Sequence, residues 1–263
     1  MSTGDRAASI ETLKIWDGVY RSFEEAAADQ EGPGFVGDVW RTRSASSARA
    51  CLAALDAGRP IPHLHTQRGV LLPPVVALML ASRDRLCLLD YGGNLGIGYL
   101  MLVESIPDAA RRIDYTIVDI PQTCEEGRRL FSGAITYHSA LPRHGTFDLV
   151  HTSSALQYVR DWRRALGLLA SYGAEFVLLS DVFAGEIPTF VTLQRYYDSR
   201  IPHWFWNLDE FLAVWTQAGY RLEMKTFAFS RRLNVDDRLP MDHFPETHQL
   251  EQALHILLRR VSG

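Results

Sequence analysis

The stretch Leu86-Cys-Leu-Leu-Asp90-Tyr-Gly92-Gly93-Asn94-Leu-Gly96-Ile-Gly98 constrains this chain more than any other. A short apolar run of this kind reads as a strand buried on both faces, as in a parallel sheet. It ends on an aspartate and passes into a glycine-rich turn that opens a helix over residues 95–106. Glycines let the backbone turn sharply and let a ligand lie against main-chain atoms. The carboxyl end of the first strand is where open α/β sheets bind ligands.

The same rhythm continues. Residues 115–120, 147–152 and 176–182 are further apolar runs, with helical patterns at 121–131 and 161–170 between them. Strands alternating with helices predict an α/β fold, a Rossmann-like doubly wound and mostly parallel sheet. Asn207 followed three residues later by Glu210 signals a helix start, and Gly219 its end. A strand is expected over 220–229 and a last one over 254–260, although 249–258 also fits a helix. Ahead of residue 83 the signals are helical. Leu13, Trp16, Tyr20 and Phe23 recur at steps of three and four, on one face of a helix. A second helix is expected over 46–57, stopped by Gly58 and Pro60, and a third from Pro73. The expected division is a helical N-terminal cap over 1–83 and a ligand-binding domain over 84–263.

Composition narrows the partners. A net charge of -4 argues against nucleic acid, whose phosphates call for a basic field. Cys51, Cys87 and Cys124 are odd in number and have no metal-like spacing, which fits a reducing cytoplasm. The N-terminus lacks the basic-then-apolar pattern of a secretory signal. The longest apolar run, 70–81, is too short to span a bilayer. A cytoplasmic protein without a membrane partner is expected, either monomer or homodimer.

The glycine spacing selects among cofactors. A dinucleotide fingerprint would need glycine at position 91, where Tyr91 stands, or at 101, where Met101 stands. A phosphate-cradling loop would need Gly-Lys-Ser/Thr. The spacing Asp90-x-Gly92-x-x-x-Gly96 instead resembles the first motif of class I S-adenosylmethionine-dependent methyltransferases. That resemblance implies S-adenosylmethionine as cofactor and S-adenosylhomocysteine as product. It implies Asp90, Gly92, Gly93, Asn94 and Gly96 around the methionine part. Asn94 replaces the family's middle glycine, and asparagine tolerates positive φ better than most residues. Asp119, ending the next strand beside Ile120, matches the acid that takes the ribose hydroxyls. Phe147-Asp-Leu-Val-His-Thr-Ser-Ser-Ala-Leu-Gln-Tyr-Val is similar to the fourth-strand motif, which puts His151, Thr152 and Ser153 beside the reactive centre. The third-strand stretch Ile135-Thr-Tyr-His-Ser139 lacks the usual acid for the adenine amino group, leaving Ser139 or a backbone carbonyl to replace it.

A narrower resemblance covers most of the chain up to Asn207. Trp16-Asp-Gly-Val-Tyr-Arg-Ser-Phe-Glu-Glu-Ala, Leu89-Asp-Tyr-Gly-Gly, Ser154-Ala-Leu-Gln-Tyr-Val and Ile187-Pro-Thr-Phe-Val-Thr-Leu-Gln are similar to methyltransferases often encoded with surface-polysaccharide or small-molecule biosynthesis genes. It implies an enzyme, with 84–263 as its cofactor-binding catalytic domain, and leaves the substrate open.

Methyl transfer from a sulfonium mainly requires alignment and exclusion of water. A hydroxyl acceptor also needs a base, whereas a carboxylate needs only a clamp. The segment Gln194-Arg195-Tyr196-Tyr-Asp-Ser-Arg200-Ile-Pro-His203-Trp-Phe-Trp206 offers arginine forks and aromatic walls. Arg195 and Arg200 favour a small carboxylic acid methylated on oxygen, with His203 as a further catalytic candidate. His151 is the first choice of base if the acceptor is a hydroxyl, as on a sugar or polysaccharide precursor, and Asp181 the second. Tyr20, Gln157, Gln194 and Tyr196 complete the expected substrate contacts, Tyr20 as a lid. His63 and His65 lack a visible third ligand, so no metal is expected. A ligand-binding protein that keeps the fold without catalysis is the alternative from another class.

Overall fold

The computed structural model describes residues 14–62, 69–228 and 238–261. Leu13, His63 and His65 lie outside the described residues. The chain opens with strand β1 (Trp16–Tyr20), helix α1 (Phe23–Ala28) and, after one turn of 3-10 helix at Gly34–Val36, the long helix α2 (Asp38–Asp56). Helix α3 (Leu72–Leu80) carries its prolines in the first turn, where a missing N–H costs nothing.

The helix expected to carry Trp16 and Tyr20 on one face is therefore corrected to a strand. Gly18 sits in its middle at φ 81, outside the helical region, and the segment pairs antiparallel with a later strand, Trp16 opposite Gln194. Spacing of three and four arose here without a helix. The second helix starts at Asp38 instead of residue 46, with Gly37 as its N-cap.

From residue 86 the α/β rhythm holds. Strands β2 (Leu86–Tyr91), β3 (Ile113–Val118), β4 (Thr136–His138), β5 (Leu149–Ser153) and β6 (Phe176–Val182) are parallel, in the order β4-β3-β2-β5-β6. Helices α4 (Ile97–Ser105), α5 (Ala109–Arg112), α6 (Pro121–Phe131) and α7 (Trp162–Ser171) join them. Strand order reverses between β2 and β5, which opens a crevice at their carboxyl ends. After β6 the chain makes β7 (Ala184–Gly185) and a hairpin, β8 (Phe190–Tyr196) with β9 (Ser199–Asn207), then α8 (Leu208–Gln217). The Asn207 side chain accepts from the Glu210 N–H at 3.1 Å, capping α8 as the sequence predicts. Strand β10 (Tyr220–Ala228) then forms the edge, and β11 (Ala253–Arg260) inserts antiparallel between it and β6. The seven-stranded sheet is thus mostly parallel, and the last segment is a strand, not a helix.

Two apolar layers cover the sheet. Leu72, Val76, Tyr99, Leu102 and Tyr115 fill one side, under α3 and α4. Trp162, Trp206, Phe211, Trp215 and Tyr220 fill the other, under α7 and α8. The hairpin belongs to a second sheet, ordered β1-β8-β9-β7, which places a strand from before residue 83 beside one from after β6. Among the described residues no helix is long and apolar enough to cross a membrane.

Candidate active site

A cavity of about 810 Å³ opens at the carboxyl ends of β2 and β5. Its floor is the glycine turn. Gly92 and Gly96 take φ near +72° and +71°, and Asn94 takes +49°, so the turn survives the loss of its middle glycine. A Cβ on Gly92 would overlap the Cβ of Ala155, and one on Gly93 would lie 2.5 Å from Asp90 Oδ2. The close packing of the turn against Ala155 and Asp90 therefore requires glycine at both positions.

Asp119 closes the turn from β3. Its Oδ2 accepts from the Asn94 N–H at 2.8 Å and its Oδ1 from the Ile120 N–H at 2.7 Å. Burial pushes its carboxyl above the usual carboxylate range, while the N–H groups of Ile120 and Asn94 and the Thr123 side chain oppose that rise. A carboxylate so fixed keeps further lone pairs for two adjacent hydroxyls.

Asp90 is buried at the end of β2 and anchors two groups. Tyr115 donates its hydroxyl to Asp90 Oδ2 at 2.6 Å, and His151 Nδ1 lies 2.8 Å from Asp90 Oδ1. Burial, reinforced by Asp90, raises the Tyr115 pKa well above its ordinary value, so that hydroxyl stays protonated as a donor. His151 lines the cavity but is only 2% exposed, and its Nε2 is buried without a hydrogen-bond partner among the described residues.

The cavity wall gathers Asp90, Gly92, Gly93, Asn94, Asp119, Ile120, Ser139, His151, Ser153 and Tyr196 from the residues expected on sequence. Others lie off it. Thr152 points the opposite way along β5 from His151 and Ser153, and Gly96 sits beneath the turn as the N-cap of α4. Gln157 is buried away from the wall. Gln194 stands one step back, its Oε1 accepting from the Tyr158 hydroxyl at 2.7 Å. Tyr20 is off the wall, its hydroxyl donating to Asp29 Oδ2 at 3.0 Å.

The arginine clamp is corrected too. On β8 side chains alternate, so Tyr196 on the cavity turns Arg195 away, and Arg195 is exposed. Arg200, opposite Arg195 on β9, pairs with Glu31 at 3.1 Å and Asp17 at 3.8 Å. The His203 ring is buried between Phe183, Tyr158 and Phe205, at centroid distances of 4.6, 5.4 and 5.0 Å. Asp181 stands behind the wall residue Ser154, whose hydroxyl donates to Asp181 Oδ2 at 2.5 Å.

Sequence reasoning missed Phe35, Trp40 and Tyr158, which line the cavity from the 3-10 turn, α2 and the turn after β5. Only their aromatic character was visible, since nothing in the spacing says that distant segments meet.

The doubly wound sheet with a glycine turn, a ribose-type acid on β3 and a crevice at the strand reversal defines a class I S-adenosylmethionine-dependent methyltransferase. The cradle fits that cofactor: Gly92, Gly93 and Asn94 would hold its methionine part, Asp119 its ribose, and Ser139 to Leu141 its adenine. A family model described as "Methyltransferase domain" matches residues 63–225, and the chain belongs to that family. No curated protein sequence matches the chain significantly. Among solved structures, the fold is similar to that of a Haloferax volcanii methyltransferase solved with its activator (TM-score 0.50, 14% identity, covering 83% of this chain and 95% of that one). Also similar are the Burkholderia thailandensis 1,6-didemethyltoxoflavin-N1-methyltransferase (0.49, 14%, 81% and 89%) and an amino pentose methyltransferase from Micromonospora echinaspora (0.46, 15%, 74% and 94%).

Proposed function

We propose that this enzyme methylates a hydroxyl oxygen of a small molecule, with His151 taking the proton. The observation that carries the reading is the buried Asp90–His151 pair at 2.8 Å. Asp90 accepts the Nδ1 proton, which leaves the lone pair on Nε2, the ring atom without a partner among the described residues. When bound, S-adenosylmethionine supplies an activated methyl group, its sulfur keeping the electron pair of the broken C–S bond. The acceptor oxygen gains the methyl group and loses its proton to His151 Nε2. Tyr115 steadies Asp90 from behind, so the imidazolium forms beside a fixed negative charge. A carboxylate acceptor has less support, because Arg195 and Arg200 stand on the face of the hairpin turned from the cavity.

The test is His151→Gln, assayed with hydroxyl and carboxylate acceptors. The reading expects kcat on the hydroxyl acceptor to fall about 100-fold with cofactor affinity unchanged. An unchanged rate with the hydroxyl acceptor, or turnover of carboxylates alone, would refute it.

A further inference from the structure

The aromatic residues of this protein span the whole range of burial. Trp16, Trp162, Trp206, Trp215, Phe205 and Phe211 are fully buried. Phe35, Trp40, Tyr158 and Tyr196 are only half-buried, and all four line the cavity. They come from the 3-10 turn, α2, the turn after β5 and β8, yet their rings meet. Centroids lie 4.7 Å apart for Phe35–Tyr158, 5.2 Å for Phe35–Tyr196 and 5.4 Å for Trp40–Tyr196. These tilted and edge-on packings form one continuous wall with ring surface left open.

The polar inventory of this end of the cavity is short. The hydroxyl proton of Tyr158 goes to Gln194 and that of Ser154 to Asp181. The ionisable side chains on the described lining are Asp90, Asp119, His151 and the tyrosines, with no lysine or arginine. The two carboxylates belong to the donor end, and His151 is the base of the reading above.

We propose that this wall is the acceptor subsite and that it takes an uncharged planar ring carrying the hydroxyl, a phenol or hydroxylated heteroaromatic. Flat π-faces pack against such a ring offset or edge-on, with electrostatic complementarity beyond mere area. A sugar would bring several hydroxyls, each losing water against a mostly aromatic wall where the Tyr158 and Ser154 hydroxyl protons are already committed, and a hydroxyl without a partner costs more than a made bond returns. A carboxylate or phosphate would meet no cation on the described lining. The assignment rests on the O-methyltransferase reading above for the fate of the ring, but not for its binding.

The experiment measures binding and turnover separately. With S-adenosylhomocysteine bound, 2-naphthol and methyl α-glucoside are titrated calorimetrically into the wild type, Trp40→Leu, Tyr196→Leu and the ring-preserving Tyr196→Phe. Unchanged S-adenosylhomocysteine affinity in each variant shows that the fold is retained. The wall assignment expects naphthol to bind the wild type and Tyr196→Phe alike, to bind both leucine variants at least 10-fold more weakly, and the glucoside not to bind. Naphthol binding that ignores both leucine substitutions, no naphthol binding, or glucoside binding that those substitutions abolish would each overturn it. Labelled-methyl transfer to naphthol is read in parallel. Binding at the wall without oxygen methylation would refute the O-methyltransferase reading and leave the subsite standing. Methylation of non-aromatic hydroxyls, with no effect of the leucine substitutions, would do the reverse.

Discussion

The two ends of the cavity are built on different principles. The donor end is made largely of backbone: a glycine-rich turn held by Asp119 through the Asn94 and Ile120 N–H groups. The acceptor end is made of side chains, four rings delivered by four separate segments. Backbone construction demands glycine at fixed places and tolerates little change. A side-chain wall tolerates substitution ring by ring, so specificity can shift there while the donor end stays constant.

The contrast is broken most directly at Gly92. Gly92→Val places a side chain on Ala155 at a left-handed φ, and S-adenosylhomocysteine affinity should fall at least ~100-fold, about 2.7 kcal/mol. Gly167→Ala, on a helix with open space around it, should leave that affinity unchanged. Calorimetry alongside thermal unfolding separates lost binding from lost fold. Asp119→Ala should weaken the same ligand by roughly 30-fold through the loss of charge-assisted bonds to the ribose, whereas Asp56→Ala, exposed at the end of α2, should not. Equal affinities in those two variants would remove Asp119 from the donor end.

A smaller effect comes from pH. Burial raises the Asp119 carboxyl, so protonation begins at a higher pH than for an ordinary aspartate. Protonation removes acceptor capacity. Cofactor affinity should therefore decline as pH falls through that raised value, while Asp119→Asn should show a flat, weaker profile over the same range. A wild-type affinity independent of pH down to the ordinary aspartate range would contradict the raised value. The smallest effect is expected from the hairpin's far face. Arg195→Ala should leave the acceptor KM unchanged, and Arg200→Ala should cost no more than about 1 kcal/mol of stability through its half-exposed pairs with Glu31 and Asp17. A raised KM in either would reopen the case for a carboxylate acceptor.

The donor end was legible because its signals are local. The β2 run, the glycines behind it and the acid ending β3 lie within a few dozen residues, and each leaves a mark in composition. The acceptor end leaves none. The β8–β9 hairpin hides its turn, using Tyr197 at φ 55 where an Asn-Gly pair would have announced it. Without the strand, the alternation that turns Arg195 outward and Tyr196 inward could not be applied, and the arginines looked like a clamp. Trp16 and Tyr20 misled for a related reason: their spacing fits a helix, and only the partner strand at Gln194 decides otherwise. The Asp90–His151 contact joins neighbours in the sheet that stand 61 positions apart, visible once β2 and β5 are known to be adjacent.

Asn94 ties the two ends together. Its N–H is held by Asp119, and its side-chain amide donates to Ser44 Oγ at 3.3 Å on α2, one helical turn from Trp40. The turn under the cofactor and a ring of the acceptor wall are thus mounted on one lever. Any coupling this contact carries between the two ends is reciprocal, changing donor and acceptor affinities by the same factor.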